Sequence, residues 1–137
     1  MEFKLRLPDD ERRKIAKSGV ALRAGVFKGM KRALLLVESE AKQSFGRPDN
    51  LKVRTGHLRR SIATRVERKG SGEVVGSIGS NVVYAAIHEF GGPHPRSTTG
   101  KQMKKRPYIR PAIDDNMIQI NRIFKKAIKE EVRKRKL

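Results

Sequence analysis

The sequence predicts one α+β domain over residues 1–137, and three observations carry that prediction. Phe3–Leu7 and Ala63–Gly79 alternate apolar and polar residues with the period of a half-buried strand. Leu22–Phe45 and Ile113–Val132 instead place apolar residues three or four apart, the period of an amphipathic helix. The length of 137 suits one domain, and an apolar share of 36% without Trp supplies one modest core, not two.

Taken in order, Phe3, Leu5 and Leu7 alternate with Lys4 and Arg6 as a short strand. Pro8-Asp9-Asp10-Glu11 reads as a helix start, with proline and acids in the first turn, and Ser18-Gly19 as a break. The long helix then begins at Val20 and buries Leu22, Val26, Met30, Ala33, Leu34, Val37, Ala41 and Phe45 on one face, with Gly46 as its stop. Gly25 and Gly29 cost it helix propensity, about 1 kcal/mol each against Ala. We read them as tolerated within an ordinary core helix, although glycines four apart also permit close backbone packing.

Thr55 is placed to cap a short turn with Leu58 and Ile62 facing inward. Ala63–Glu67 and Glu73–Gly79 form a hairpin across Lys69–Gly72. The following apolar stretch reads as extended from Asn81 and as a helical turn over Tyr84–Phe90. Gly91–Lys105 is a long polar loop, expected to be mobile together with Arg106. Lys105–Ile109 reads as a last short strand, and Pro111 as the opening of one C-terminal helix with a stripe of Ile113, Met117, Ile120, Phe124, Ala127, Ile128 and Val132. Its basic end, residues 133–137, is expected to fray.

Charge narrows the partners. Thirty-three Lys and Arg against 14 Asp and Glu leave a net +19, which attracts polyanions, nucleic acid first among them. Residues 70–95 hold no Lys or Arg, whereas 96–110 carry Arg96, Lys101, Lys104, Lys105, Arg106 and Arg110 with no acid, and the chain is basic again from Arg122 to Lys136. A nearly neutral middle between cationic segments is the pattern of a buried unit with charged appendages. Arg96, Lys101, Lys104, Lys105 and Arg106 are the candidate contacts to DNA or a neighbouring subunit.

No constellation for catalysis or cofactor binding emerges. Without Cys there is no disulfide, thiolate ligand or thiol nucleophile. His88 and His94 are six apart with Gly91-Gly92-Pro93 between them, so they miss the four-residue spacing of a zinc-binding helix. Gly70, Gly72, Gly76 and Gly79 are not followed by Gly-Lys-Ser/Thr and so do not make a phosphate loop. Ser61 and Ser77 lack a recognisable base, and the adjacent Asp114 and Asp115 diverge on a helix. The expectation is a protein that is no enzyme, with no metal and no cofactor. The longest apolar run, Ala33–Val37, falls far short of the roughly 18–20 residues that cross a bilayer, so no membrane partner is expected. Met1-Glu2-Phe3-Lys4 lacks a signal peptide's layout, which favours a chain made and kept inside a cell.

Three segments carry a resemblance: Thr55-Gly56-His57-Leu58-Arg59-Arg60-Ser61-Ile62, then Gly79-Ser80-Asn81-Val82-Val83-Tyr84-Ala85-Ala86-Ile87-His88-Glu89-Phe90-Gly91, then Arg106-Pro107-Tyr108-Ile109-Arg110-Pro111-Ala112. In this order they resemble the tail-completion, or head–tail joining, proteins of long-tailed bacteriophages, also described as minor tail or virion morphogenesis proteins. Ile78, Gly92 and Tyr108 depart from that pattern, and the loop 91–105 is longer and more basic than it. The resemblance covers residues 1–130 or so and implies a small curled antiparallel sheet packed with a long N-terminal helix and a C-terminal helix. It further implies ring-forming pieces, often hexameric, at the neck or tail of the virion. They would be made in the host cytoplasm, contact other neck or tail proteins, let DNA pass through the lumen, and have no cofactor.

Within the motifs, Thr55, Gly56, Leu58, Ile62, Tyr84, Phe90 and Pro111 are read as fold determinants, and Arg59, Glu89 and Arg110 as members of internal or intersubunit ion pairs. The alternative from another class is a free-standing basic nucleic-acid-binding protein, against which stand the lack of helix-turn-helix spacing and the few aromatics. A ribonuclease toxin would need His57, His88 and Arg59 to converge.

Overall fold

The central strand of the molecule is buried on both faces, which organises everything around it. A computed structural model describes residues 1–10, 19–47, 56–70, 73–94 and 98–135. Strand β3 (Glu73–Gly79) lies between β1 (Glu2–Arg6) and β2 (Ala63–Lys69), antiparallel to both. Phe3 stands opposite Ile78 on one side, and Val66 opposite Gly76 on the other. Val74, Val75 and Ile78 are buried, as a strand covered by neighbours and by a helix requires.

Helix α1 (Val20–Ser44) crosses this sheet. Its three-four periodicity puts Val26, Met30, Leu34 and Val37 in one cluster with Ile62, Val74, Ile78 and Ile109. A Cβ at Gly76 would sit 2.8 Å from Leu34 Cδ1, so the missing side chain sets how closely the helix approaches the strand. Each of these buried aliphatic side chains contributes about 1.5–3 kcal/mol. Beside this core, Arg68 of β2 stacks on Phe27 of α1, its guanidinium carbon 4.3 Å from the ring centroid.

The last helix, α5 (Met117–Arg135), packs along α1 and buries Ile120, Phe124 and Ala127. Gly25 meets Ile128 and Gly29 meets Phe124, so the two helices run antiparallel and touch through the glycines. A Cβ would fall 2.7 Å from Ile128 Cα at position 25 and 2.7 Å from Phe124 Cδ1 at position 29. The pair is therefore a contact surface and not a tolerated cost.

Several sequence expectations change. The helix from Pro111 is two helices, α4 (Arg110–Asp114) and α5, with a break at Asp115–Asn116. Asn116 explains it: its side-chain amide donates to the Ala112 carbonyl at 2.9 Å, while its backbone N–H turns to Ile113 at 3.2 Å. Lys105–Ile109 is not a strand, because its last N–H groups bind a carboxylate instead of a neighbouring strand. Asn81–Val82 is irregular, followed by a turn into α3 (Ala85–Phe90). The N-cap of α2 (His57–Ser61) is Gly56 at φ 75°, with no side-chain cap bond; Thr55 lies outside the described residues. The loop after α3 also holds a two-stranded antiparallel ribbon, β4 (Gly92–Pro93) with β5 (Gln102–Met103).

A candidate assembly site where the three motifs meet

Backbone hydrogen bonds that local structure leaves open draw the three sequence motifs together. Ser61, at the end of α2, donates to the Leu58 carbonyl at 2.6 Å. Its oxygen is also 2.6 Å from the Ser80 hydroxyl, which in turn accepts the Val82 N–H at 3.1 Å. With the Ser61 proton directed to Leu58, Ser80 is the donor between the two hydroxyls, and the chain of bonds ties the first motif to the second. Leu58 and Ile62 on either side are buried.

Glu89 joins the second motif to the third. Its side chain is 2% exposed, and one oxygen accepts the N–H groups of Tyr108 at 2.9 Å and Ile109 at 3.1 Å. The other accepts the Arg110 N–H at 2.9 Å. Glu89 thus occupies the place of a capping side chain at the start of α4, where N–H groups have no partner within the helix. Among the described residues its partners are these backbone N–H groups and not the cation that an internal ion pair would need. The segment is further held by the Tyr108 hydroxyl on the Ala85 carbonyl, 3.2 Å, by the Arg106 N–H on the His88 carbonyl, 2.7 Å, and by Phe45 edge-on to the Tyr108 ring. Burial, with the Glu89 charge as a lesser cause, pushes the Tyr108 hydroxyl well above its usual ionisation range.

Gly91 ends α3 at φ 76°, and a Cβ there would lie 3.0 Å from the Met103 carbonyl oxygen. Only glycine turns the chain here while β5 passes so close. Ala85 and Ala112 are buried, and Pro111 stands in the first turn of α4.

Other motif residues face outward. Phe90 is 61% exposed, with its ring stacked on Phe3 at 5.9 Å, and Tyr84 is 37% exposed, edge-on to His88. Neither is a core residue. Their neighbour Val83 is 86% exposed. Arg110 is exposed and pairs with Asp114 at 3.3 Å, whereas Arg59 is exposed and makes no ion pair among the described residues. Pro107 is half-buried. Of the basic loop candidates, Lys101, Lys104, Lys105 and Arg106 are exposed, and Arg96 lies outside the described residues.

A second cationic surface is absent from the sequence-based candidates. Arg122, Lys125, Lys126, Lys129 and Arg133, with Glu130 beside them, line a shallow groove of about 410 Å³ on the outer side of α5. Of the two acids of that helix, Glu131 turns toward α1, while Glu130 stands at the rim of the groove. Glu131 pairs with Lys28 and is buried, and Glu130 pairs with Arg32 at 3.0 Å. Arg32 holds the Glu130 carboxyl below the usual carboxylate range, and the Glu131 bond raises the Lys28 ammonium above its own. The spacing of these cations was legible as one helical face, but the chain end reads equally as an undirected basic tail.

Among the described residues no group of three His, Asp or Glu could hold a metal ion, and no helix is long and apolar enough to cross a membrane. Neither a curated protein nor a solved structure matches the chain. The Phage virion morphogenesis family does match, over residues 34–133, a span that contains all three motifs and the contacts joining them. The chain belongs to that family, and is a phage structural protein associated with the virion.

Proposed function

We propose that this chain is a tail-completion or head–tail joining component. It assembles into a ring at the neck or tail, contacts neighbouring neck or tail proteins, and lets DNA pass through the lumen. It acts without catalysis or cofactor. The observation that carries this reading is the double character of the second motif. Glu89 is buried and anchors α3 by three backbone N–H groups, yet Val83, Tyr84 and Phe90 around that helix stand exposed. A rigidly held set of exposed large apolar side chains marks a protein-docking surface. The surrounding charge supports it: Lys104, Lys105 and Arg106 follow directly on the ribbon that contacts Gly91.

The test is molar mass by light scattering across concentration, alone and with purified neck and tail components of the same phage. The expected result is a growing mass that reaches a closed oligomer in the presence of those components. A chain that stays monomeric at every concentration and with every component would overturn the ring.

A further inference from the structure

We infer that the outer face of α5, built from Arg122, Lys125, Lys126, Lys129 and Arg133, is the surface on which the backbone of duplex DNA runs. The inference rests on the DNA-passing part of the proposed function and moves the contact away from the loop at 91–106.

At 100° per residue these five cations fall within an arc of about 100°, opposite Ile120, Phe124, Ala127 and Glu131, which face α1. They span about 16 Å of helix. A duplex carries one charge per about 1.7 Å of its axis, so a run of that length offers more phosphates than the face has cations. Against the five cations the face carries a single acid, Glu130 at its rim beside Lys126, and that carboxylate is shared with Arg32 of α1, while Glu131 is held by Lys28. Those two pairs do two things at once. They fasten α5 to α1, and they offset the one carboxylate at the edge of the outward face and bury the other.

The side chains also suit the ligand. Arg and Lys on a rigid helix meet a phosphate row by charge and reach, with no need to read a base edge. No aromatic residue interrupts the face, so it has no platform for stacking unpaired bases. An exposed stripe of five cations and one acid, without aromatics, therefore fits the sequence-independent backbone of a duplex better than a single strand.

The test uses the full chain and a fluorescently labelled random-sequence duplex of 30 base pairs, with affinity measured by anisotropy between 50 and 200 mM salt. Replacing Lys125, Lys126 and Lys129 together by Gln should weaken binding at least tenfold and lower the slope of log affinity against log salt by about 2–3. The same change at Lys104, Lys105 and Arg106 should do distinctly less. Thermal melting by circular dichroism should be the same for both variants and the parent, and Arg122→Gln with Arg133→Gln provides an independent pair. If the parent does not bind duplex at all, the DNA-passing reading falls and this assignment with it. If the parent binds and the α5 variants bind as well, only the assignment to α5 falls. A loop variant that loses as much as the α5 variant overturns it too. So does polyglutamate that competes as well as duplex at equal charge, since the face would then suit an acidic protein.

Discussion

Glu89 accepts the backbone N–H of Tyr108 at 2.9 Å, while the Tyr108 hydroxyl donates back to Ala85 in the same short helix as Glu89. The two residues are 19 apart in sequence and lock two segments together in both directions. No strand or helix ladder could do this, because Lys105–Ile109 has no regular partner for its N–H groups. A buried carboxylate with three N–H donors is stable where it stands, and costly to replace.

Replacing Glu89 by Ala leaves three N–H groups without their acceptor, those of Tyr108 and Ile109 buried and that of Arg110 partly so. The expected loss is at least ~3 kcal/mol, since each orphaned buried group costs about 1–3 kcal/mol. Glu89→Gln keeps the shape but turns an amide NH₂ toward backbone donors, and should cost somewhat less. Urea unfolding measures both. A Gln variant as stable as the parent would mean that the charge contributes nothing at this site.

Gly25 and Gly29 allow a second stability prediction whose sign opposes helix propensity. In an open helix Gly→Ala stabilises by about 1 kcal/mol. Here the new Cβ at position 25 meets the Ile128 backbone, which cannot swing aside, and at position 29 it meets the Phe124 ring. Each substitution should therefore destabilise, by about 1–3 kcal/mol for the overpacking. Gly19→Ala, at the N-cap of α1, meets nothing within 4 Å and controls for the clash alone, with an expected cost of only a few tenths of a kcal/mol from the poorer cap. If Gly25→Ala raised the urea midpoint, the close contact between α1 and α5 would be refuted.

How much of this was legible follows from which forces are periodic. The face of α1 from Val26 to Ala41 and the pairing of β2 with β3 repeat with their element's period, so sequence reading finds them. Glu89 repeats nothing. A single acid between Ile87 and Phe90 gives no sign that its partners are backbone groups 19–21 residues on. The same bonds undid the strand expected at Lys105–Ile109, since so short a segment, with Tyr108 and Ile109 as its apolar end, is shared by strands and by buried irregular chain. Tyr84 and Phe90 failed differently: aromatic type argues for burial, and their exposure is set by the packing of α3 in three dimensions, which residue type does not carry.

Tyr108 provides a pH prediction. Its folded ionisation is raised above the unfolded value of about 10. The folded chain therefore holds this proton more tightly than the unfolded one. The associated stability is present in full below pH 10, and drains away as pH rises beyond it. Tyr108→Phe should be less stable near neutral pH by about 1 kcal/mol, having lost the bond to Ala85. It should also lack this alkaline decline. Urea midpoints of the two proteins should approach one another between pH 9 and 11. Curves that stay parallel would show that the hydroxyl is not protected in the folded state.

The exposed residues around α3 make the sharpest separation of stability from assembly. Val83 and Phe90 are mostly in water in the single chain, so Val83→Ser and Phe90→Ser remove little buried surface. Phe90 does stack on Phe3, and losing that contact should cost no more than about 0.5–1.5 kcal/mol. Thermal melting should accordingly shift by only a few degrees. At a docking surface the same side chains become buried against a partner, where truncating a large apolar anchor costs 2 kcal/mol or more, roughly thirtyfold in affinity. The double variant should therefore fold normally, yet fail to form the closed oligomer that light scattering is expected to report for the parent, and fail to complement a phage lacking the gene. Glu89→Gln is the opposite control, because it should lower stability first and assembly only in consequence. If the Val83 and Phe90 double variant assembles and complements like the parent, the docking surface is elsewhere on the molecule, and the exposure of these residues carries no function.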